Sequence, residues 1–295
     1  MKKLLHLGLD VGSTTVKLVL LQKNGEIIYS RYQRHFSDIK KTIQLLVDEA
    51  FNSFSNYDIT AMVTGSAGIS VSGWLNLPFI QEVVASAKAI EEYIPQTDVV
   101  IELGGEDAKI IYFTNGIEQR MNGTCAGGTG AFIDQMSTLL KTDAEGLNEL
   151  AKKHTVIYPI AARCGVFAKT DIQPLLNEGA AKEDIAASIL QSVVNQTVSG
   201  LACGRPIRGN VAFLGGPLYY LSELRKRFKE TLNLSDDQVI FPPNSQLFVA
   251  IGAALSSRNT EIISFKELKD RAAVLDKAGT NEIERLRPLF LDENE

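Results

Sequence analysis

Residues 10–17 read Asp-Val-Gly-Ser-Thr-Thr-Val-Lys, and residues 102–109 read Glu-Leu-Gly-Gly-Glu-Asp-Ala-Lys. At this offset of 92 residues an acid falls on an acid, glycine on glycine and lysine on lysine, and apolar residues flank both copies. A repeat of this length exceeds the units of solenoid proteins. It therefore predicts two related lobes rather than a stacked array.

Each copy of the repeat is a turn between two predicted strands. The apolar runs at 4–9 and 16–21 flank the first turn, and Asn24-Gly25 predicts a hairpin to a third strand at 26–33. The second copy has the same arrangement over 98–113. Further strands are predicted at 59–64, 210–214 and 239–241. The spacing of apolar residues predicts helices at 38–54, 81–94, 129–141, 144–153, 167–177, 182–203 and 245–257.

These elements predict an α/β chain with a first lobe at 1–95 and a second lobe at 96–257. Beyond Arg258 the composition becomes charged and nearly free of glycine. We therefore expect residues 258–295 to form an appended helix, a charged C-terminal tail or a linker.

The glycines of the two turns indicate phosphate binding. Backbone N–H groups in such a turn can approach a phosphate closely, and an acid nearby can hold Mg²⁺ through water. A single copy is as well explained by a plain hairpin, but two facing copies would clamp a triphosphate. A third glycine turn, Gly215-Gly216-Pro217, is by itself a tight strand-to-helix connection. Beside two phosphate turns it suits adenine and ribose.

Two of the three cysteines stand in matching contexts. Cys125 and Cys164 each precede a predicted helix, where the field of the helix N-terminus favours a thiolate. Taken singly, each is better explained by a buried structural thiol, and it is the matching contexts of the two that favour a ligand. Two thiolates are half of what an iron–sulfur cluster usually takes, and a symmetric dimer supplies four. Cys203 lacks this context, so we interpret it as core or helix-end packing.

The overall charge argues against several functions. The net charge is -5 and no basic cluster interrupts it, so neither nucleic acid nor an anionic membrane is an expected partner. Asp10 ends the first apolar run too early for a signal peptide, and no stretch approaches the ~18 apolar residues of a membrane span. A cytoplasmic location follows. The three histidines and Trp74 have no ligand-like spacing and are interpreted as structural.

Six motifs resemble one family, the activator components of 2-hydroxyacyl-CoA dehydratases, a group that includes ATPase subunits of benzoyl-CoA reductases. The motifs are GLDVGSTTVKLVLL at 8–21, IELGGEDAKIIYF at 101–113, MNGTCAGGTGAFID at 121–134, CGVFAKTDI at 164–172, FLGGP at 213–217 and AIGAAL at 250–255. The resemblance implies an α/β, two-lobed actin/Hsp70-like ATPase fold of duplicated ribonuclease H-like domains, with ATP or ADP and Mg²⁺ between the lobes.

The same resemblance implies a homodimer that holds one [4Fe–4S] cluster through Cys125 and Cys164 of both copies. Nucleotide turnover would then drive a low-potential electron into an iron–sulfur acceptor enzyme, with a ferredoxin or flavodoxin as the electron donor. The residues expected to bind the nucleotide are Gly12, Ser13, Thr14, Thr15, Lys17, Gly104, Gly105 and Gly128 on the phosphate side, and Gly215 and Gly216 on the nucleoside side.

Four carboxylates are the candidates for Mg²⁺ and the attacking water: Asp10, Glu102, Glu106 and Asp107. Where well-known activators read Asp-Ile-Gly-Gly-Gln-Asp, this chain has Glu102 and Glu106. The extra carboxylate could coordinate Mg²⁺ or orient water, and it could equally repel phosphate. Two other functions stay open: a sugar or amino-sugar kinase of the same superfamily, and a nucleotide-gated binding module without redox chemistry.

Overall fold

The computed structural model describes residues 3–114, 116–122, 126–161 and 164–275. Its strands are β1 (Leu4–Val11), β2 (Thr15–Leu21), β3 (Ile27–Arg34), β4 (Asp58–Thr64), β5 (Val99–Leu103), β6 (Ala108–Tyr112), β7 (Glu118–Met121), β8 (Val211–Leu214), β9 (Val239–Ile240) and β10 (Ile263–Ser264).

Its helices are α1 (Ile39–Phe54), α2 (Gly68–Leu75), α3 (Glu82–Tyr93), α4 (Gly130–Leu139), α5 (Ala144–Ala151), α6 (Gly165–Asn177), α7 (Lys182–Asn195), α8 (Gly216–Tyr220), α9 (Ser222–Thr231), α10 (Phe248–Ser256) and α11 (Phe265–Ala273). A π-helical turn at Gln196–Leu201 continues α7. Over the described ranges, every helix is too short or too polar to cross a bilayer.

Two five-stranded sheets form the two lobes, and their strands follow the same order. The first sheet runs β10-β4-β1-β2-β3 and the second runs β9-β8-β5-β6-β7. In both, an antiparallel hairpin pairs with a parallel fourth strand: β1 with β2 and β4, and β5 with β6 and β8. The strand register matches as well, because Asp10 lies opposite Lys17 and Glu102 lies opposite Lys109. The predicted two-lobed α/β fold is confirmed.

Apolar side chains from both sheets meet in one core between the lobes. Val19 of β2 and Val100 of β5 are fully buried there, together with Ile90 of α3 and Ile251 of α10. Helices α3 and α10 therefore lie between the sheets and fix how the two lobes face each other. Each lobe also has a separate core on the other side of its sheet.

The contact between α3 and α10 is close enough to require glycine. A Cβ at Gly252 of α10 would overlap the backbone carbonyl of Ala85 in α3. On the other side of α10, a Cβ at Gly8 of β1 would overlap the backbone carbonyl of Ala250. Because backbone atoms cannot rotate away as side chains do, a methyl group here must push the helices apart.

We expect Gly252→Ala to lower the free energy of unfolding by about 1–3 kcal/mol, measured by denaturant titration. The control is Gly73→Ala in α2, where the added methyl group meets no atom within 4 Å. There the gain in helix propensity should stabilise the protein by up to about 1 kcal/mol. Equal stability of the two variants would mean that α3 and α10 do not pack as described.

The described part of the segment after Arg258 folds onto the first lobe as a short strand and an appended helix rather than forming a tail. Strand β10 joins the edge of the first sheet beside β4, and α11 packs on α1. Phe265, Leu268 and Ala272 have helical spacing and are buried in the core of the first lobe, and Ser264 caps the helix by accepting from the Glu267 N–H. The charged residues of α11 occupy its solvent side, which is why composition alone suggested a tail. Residues 276–295 of that prediction lie outside the described residues.

Candidate functional site

The two repeated turns have the same hydrogen bond and face each other across the interlobe cleft. The Gly12 N–H donates to Thr15 O at 2.9 Å, and the Gly104 N–H donates to Asp107 O at 2.7 Å. These pairs correspond at the offset of 92 residues. A Cβ at Gly105 would overlap the side chain of Thr14, so the turns touch directly. The structure thus brings together the two segments that the sequence predicted to clamp phosphates.

Glycine is also required where β4 and β8 end. Gly215 has φ of 91° and Gly65 has φ of 102°, a region that favours glycine. Side chains at these positions would overlap Leu103 O and Val11 O, respectively, in the neighbouring strand. Gly65 is therefore the first-lobe counterpart of Gly215. Sequence analysis missed it, because the two positions are not 92 residues apart.

Buried carboxylates and lysines form the floor of the cleft. Asp10 is 2% exposed and accepts from Lys17 Nζ at 2.7 Å. Lys109 lies 3.4 Å from Glu102 and also pairs with Glu82, at the start of α3. Among the described residues that meet here, three are carboxylates and two are lysines: Asp10, Glu82 and Glu102 against Lys17 and Lys109. This balance suits a phosphate accompanied by a cation better than a bare phosphate.

The ion pairs keep both lysines charged. Burial alone would lower the pKa of Lys17, but Asp10, Tyr32 and Glu102 together outweigh burial and raise that pKa. Lys109 follows the same pattern, with a pKa raised by Glu102 and Glu82 against the effect of burial. Burial also raises the pKa of Glu82, despite the opposing attraction of Lys109. Glu82 is a site carboxylate that sequence analysis missed, since only its place at the head of α3 brings it to the floor.

The four predicted carboxylates are not equivalent in the structure. Asp10 and Glu102 are buried in the floor, and Glu102 also accepts from the hydroxyl of Ser86 at 3.3 Å. Glu106 is exposed and Asp107 is half-buried at the tip of the second turn. Asp10 and Glu102 therefore have the better-defined surroundings.

A pocket of about 110 Å³ opens beside the turns. Thr14, Thr15 and Gly105 line it together with two apolar-faced residues, Pro217 and Tyr220. Arg34 and Asp134 line it as well. A narrower pocket next to it shares Thr15 and Gly105, and reaches Lys17 and Glu102 on the floor. The lining of the two pockets thus combines polar and charged groups with apolar surface.

Tyr32 stands between the two pockets. A Cβ at Gly216 would overlap the Tyr32 hydroxyl, so Gly216 admits this ring from the opposite lobe. The ring packs edge-on against Tyr220, with centroids 5.7 Å apart, and Lys17 Nζ lies 5.7 Å from its centroid. Tyr32 therefore closes the cleft where the two pockets meet.

Helix α4 begins at the second turn. The N–H groups of Gly130 and Ala131 donate to Gly104 O at 3.0 Å and to Gly105 O at 2.7 Å. Gly128, which precedes this helix with φ of 80°, is buried against the side chain of Gln196. The first turn of α4 is thus fixed directly to the predicted phosphate turn.

The cysteines differ in their surroundings. Cys164 is partly exposed immediately before α6, where the N–H groups of Phe167 and Val166 lower the pKa of its thiol. Cys203 is exposed and its thiol donates to Gly200 O at 3.1 Å, which agrees with a helix-end position. Cys125 lies outside the described residues.

Facing glycine turns between two lobes of matching topology are those of an actin/Hsp70-like ATPase fold. Residues 7–257 match the BadF/BadG/BcrA/BcrD ATPase family, and the chain belongs to this family. The resemblance seen in the motifs is thereby confirmed.

Similar proteins cover almost the whole chain. It is 30% identical to the 2-hydroxyisocaproyl-CoA dehydratase activator of Clostridioides difficile, over 90% of this chain and 98% of that protein. It is 31% identical to the (R)-2-hydroxyglutaryl-CoA dehydratase activating ATPase of Acidaminococcus fermentans, over 84% and 95%. The structure of the activator of the 2-hydroxyisocaproyl-CoA dehydratase from Clostridium difficile with bound ADPNP superposes with a TM-score of 0.72 at 27% identity, covering 94% of this chain and 98% of that one.

Proposed function

We propose that this protein is an ATP-dependent activator that delivers a low-potential electron to a 2-hydroxyacyl-CoA dehydratase or a related iron–sulfur enzyme. The observation that carries the proposal is the attachment of α4 to the second glycine turn through Gly130 and Ala131. Helix α4 directly follows the segment that contains Cys125, so a change at the phosphates would reach that segment through two hydrogen bonds. The names of the related activators support the acceptor class.

The cleft residues would bind ATP and Mg²⁺ in the following way. The backbone amides of the two turns would hold the phosphates, with Lys17 and Lys109 balancing the carboxylates around them. Asp10 and Glu102 would orient Mg²⁺ and the attacking water, with Glu106 and Asp107 contributing from the tip of the second turn. Such positioning and charge stabilisation supply most of the catalysis in phosphoryl transfer.

Cys164 has the chemistry expected of a cluster ligand. It is an accessible thiol whose pKa is lowered by two backbone N–H groups, conditions that favour the ligating thiolate. Within the described part of one protomer, no group of three or more His, Cys, Asp or Glu side chains could hold a metal ion. A cluster would therefore need Cys125 and the same two thiolates of a second copy. When bound, a [4Fe–4S] cluster supplies a one-electron carrier, which a ferredoxin or flavodoxin would reduce.

Substitution of the cysteines tests the proposed ligands. We expect Cys164→Ser, purified without oxygen, to lose nearly all iron and acid-labile sulfide, because serine is a poor ligand for iron in such clusters. Cys203→Ser is the matched control and should keep the iron content of the unsubstituted protein. Equal loss in both variants, or full retention in Cys164→Ser, would contradict the assignment.

A further inference from the structure

An ion pair bridges the cleft beside the glycine turns. Arg34, the last residue of β3, donates from Nη1 to Asp134 Oδ2 at 2.8 Å and from Nη2 to Asp134 Oδ1 at 3.2 Å. Asp134 lies on α4 in the second lobe. Two parallel bonds between planar groups fix direction as well as distance. The pair therefore sets where α4 stands relative to the first sheet.

The residue next to Arg34 holds the first glycine turn. The His35 N–H donates to Thr14 O at 3.2 Å, and ring atom Nε2 lies 3.2 Å from Gly12 O. Ring atom Nδ1 accepts from the Ser37 N–H at 3.0 Å, so Nε2 carries the proton and donates to Gly12 O. The ring is buried, with both nitrogens in use. Residues 34 and 35 thus join the first turn to α4.

Helix α4 is consequently held from both sides of the cleft. Its first turn is bonded to Gly104 and Gly105 of the second lobe, and Asp134, one turn further on, is bonded to Arg34 of the first lobe. Movement of either glycine turn changes the length of one of these connections. Within the described residues, α4 is thereby placed to respond to the separation of the two turns.

We propose that Arg34 is a positioning residue that makes the order of α4 depend on nucleotide bound between the glycine turns. The proposal rests on the proposed function only in that the turns hold the phosphates, and it requires neither the cluster nor an acceptor enzyme. Nucleotide held between the turns fixes their separation, and the two bonds of the Arg34–Asp134 pair then hold α4 to the first lobe at that separation.

Hydrogen exchange of peptides covering 130–139 tests this, with and without a non-hydrolysable ATP analogue and Mg²⁺. The nucleotide is added at a concentration that saturates each variant, because Arg34 and Asp134 also line the pocket beside the turns. In the unsubstituted protein the nucleotide should slow exchange in α4. In Arg34→Gln that protection should fall by about two- to fivefold, the range expected for one solvent-accessible ion pair. The pair of substitutions Arg34→Asp with Asp134→Arg restores opposite charges and should recover part of the protection.

The matched control is Arg31→Gln. Arg31 lies on the same strand and pairs with Glu49 at 3.0 Å, with an equally exposed side chain, but both partners belong to the first lobe. The Arg31→Gln variant should keep the full protection of α4 from exchange when nucleotide is bound. Unchanged protection in Arg34→Gln, or an equal loss in Arg31→Gln, would overturn the inference while nucleotide binding stands. If the unsubstituted protein binds the nucleotide, measured by isothermal titration, but exchange in α4 is unchanged, the inference fails and the proposed function stands. If the protein does not bind the nucleotide, the proposed function fails as well.

Discussion

Asp10→Asn should lower the kcat of ATP hydrolysis by about 100-fold or more, the usual scale for removing a group that stabilises charge in the transition state. Asp10 is almost fully buried at the end of β1 and lies in contact with Lys17. Asparagine keeps its size but cannot balance that lysine or a divalent cation. Iron content should be unaffected, because both predicted cluster cysteines lie in other segments of the chain.

The control for this substitution is Asp58→Asn. Asp58 is the first residue of β4 in the same sheet, at the end away from the glycine turns, because β4 runs parallel to β1. The kcat of the Asp58→Asn variant should remain within about twofold of the kcat of the unsubstituted protein, as is usual for substitutions remote from a site. Thermal unfolding of both variants would separate a catalytic defect from a folding defect. A kcat for Asp10→Asn equal to that of Asp58→Asn would remove Asp10 from the mechanism.

Gly105→Ala should weaken nucleotide binding by roughly 5- to 150-fold, which corresponds to the usual cost of about 1–3 kcal/mol for overpacking a close contact. A methyl group at this position overlaps the side chain of Thr14, so the two turns can no longer approach each other. Isothermal titration with an ATP analogue and Mg²⁺ measures the effect.

A second substitution can relieve this overlap. Thr14→Ala removes the two Thr14 atoms that a Cβ at Gly105 meets first, Oγ1 and Cγ2. If steric exclusion causes the defect, adding Gly105→Ala to Thr14→Ala should weaken binding less than adding it to the unsubstituted protein, a comparison that allows for the loss of the Thr14 side chain itself. Affinity in Gly105→Ala equal to that of Gly73→Ala, where the methyl group meets open space, would show that the turns do not close on the nucleotide.

The repeat made the fold predictable because each lobe places its acid and lysine in register. Asp10 opposite Lys17 and Glu102 opposite Lys109 are cross-strand neighbours, so a local sequence pattern contained the pairing of the hairpins. Contacts between residues far apart in the chain leave no such local pattern in the sequence. Strand β10 is two residues long and joins a strand about 200 positions earlier in the sequence.

The missed site residues share this cause. Glu82 meets Lys109, and Arg34 meets Asp134, only after the lobes have folded against each other. His35 had no partner at ligand spacing and was interpreted as structural. In the structure it still serves a structural purpose, but the backbone it supports is the first glycine turn. The roles of the predicted phosphate, nucleoside and cluster residues remain predictions.

Native mass spectrometry of protein purified without oxygen shows whether two chains share one cluster. We expect one species with the mass of two chains plus one [4Fe–4S] cluster, since each copy contributes only two of the thiolates that such a cluster uses. Detection of a single chain without iron, in a preparation that still hydrolyses ATP, would contradict the shared cluster.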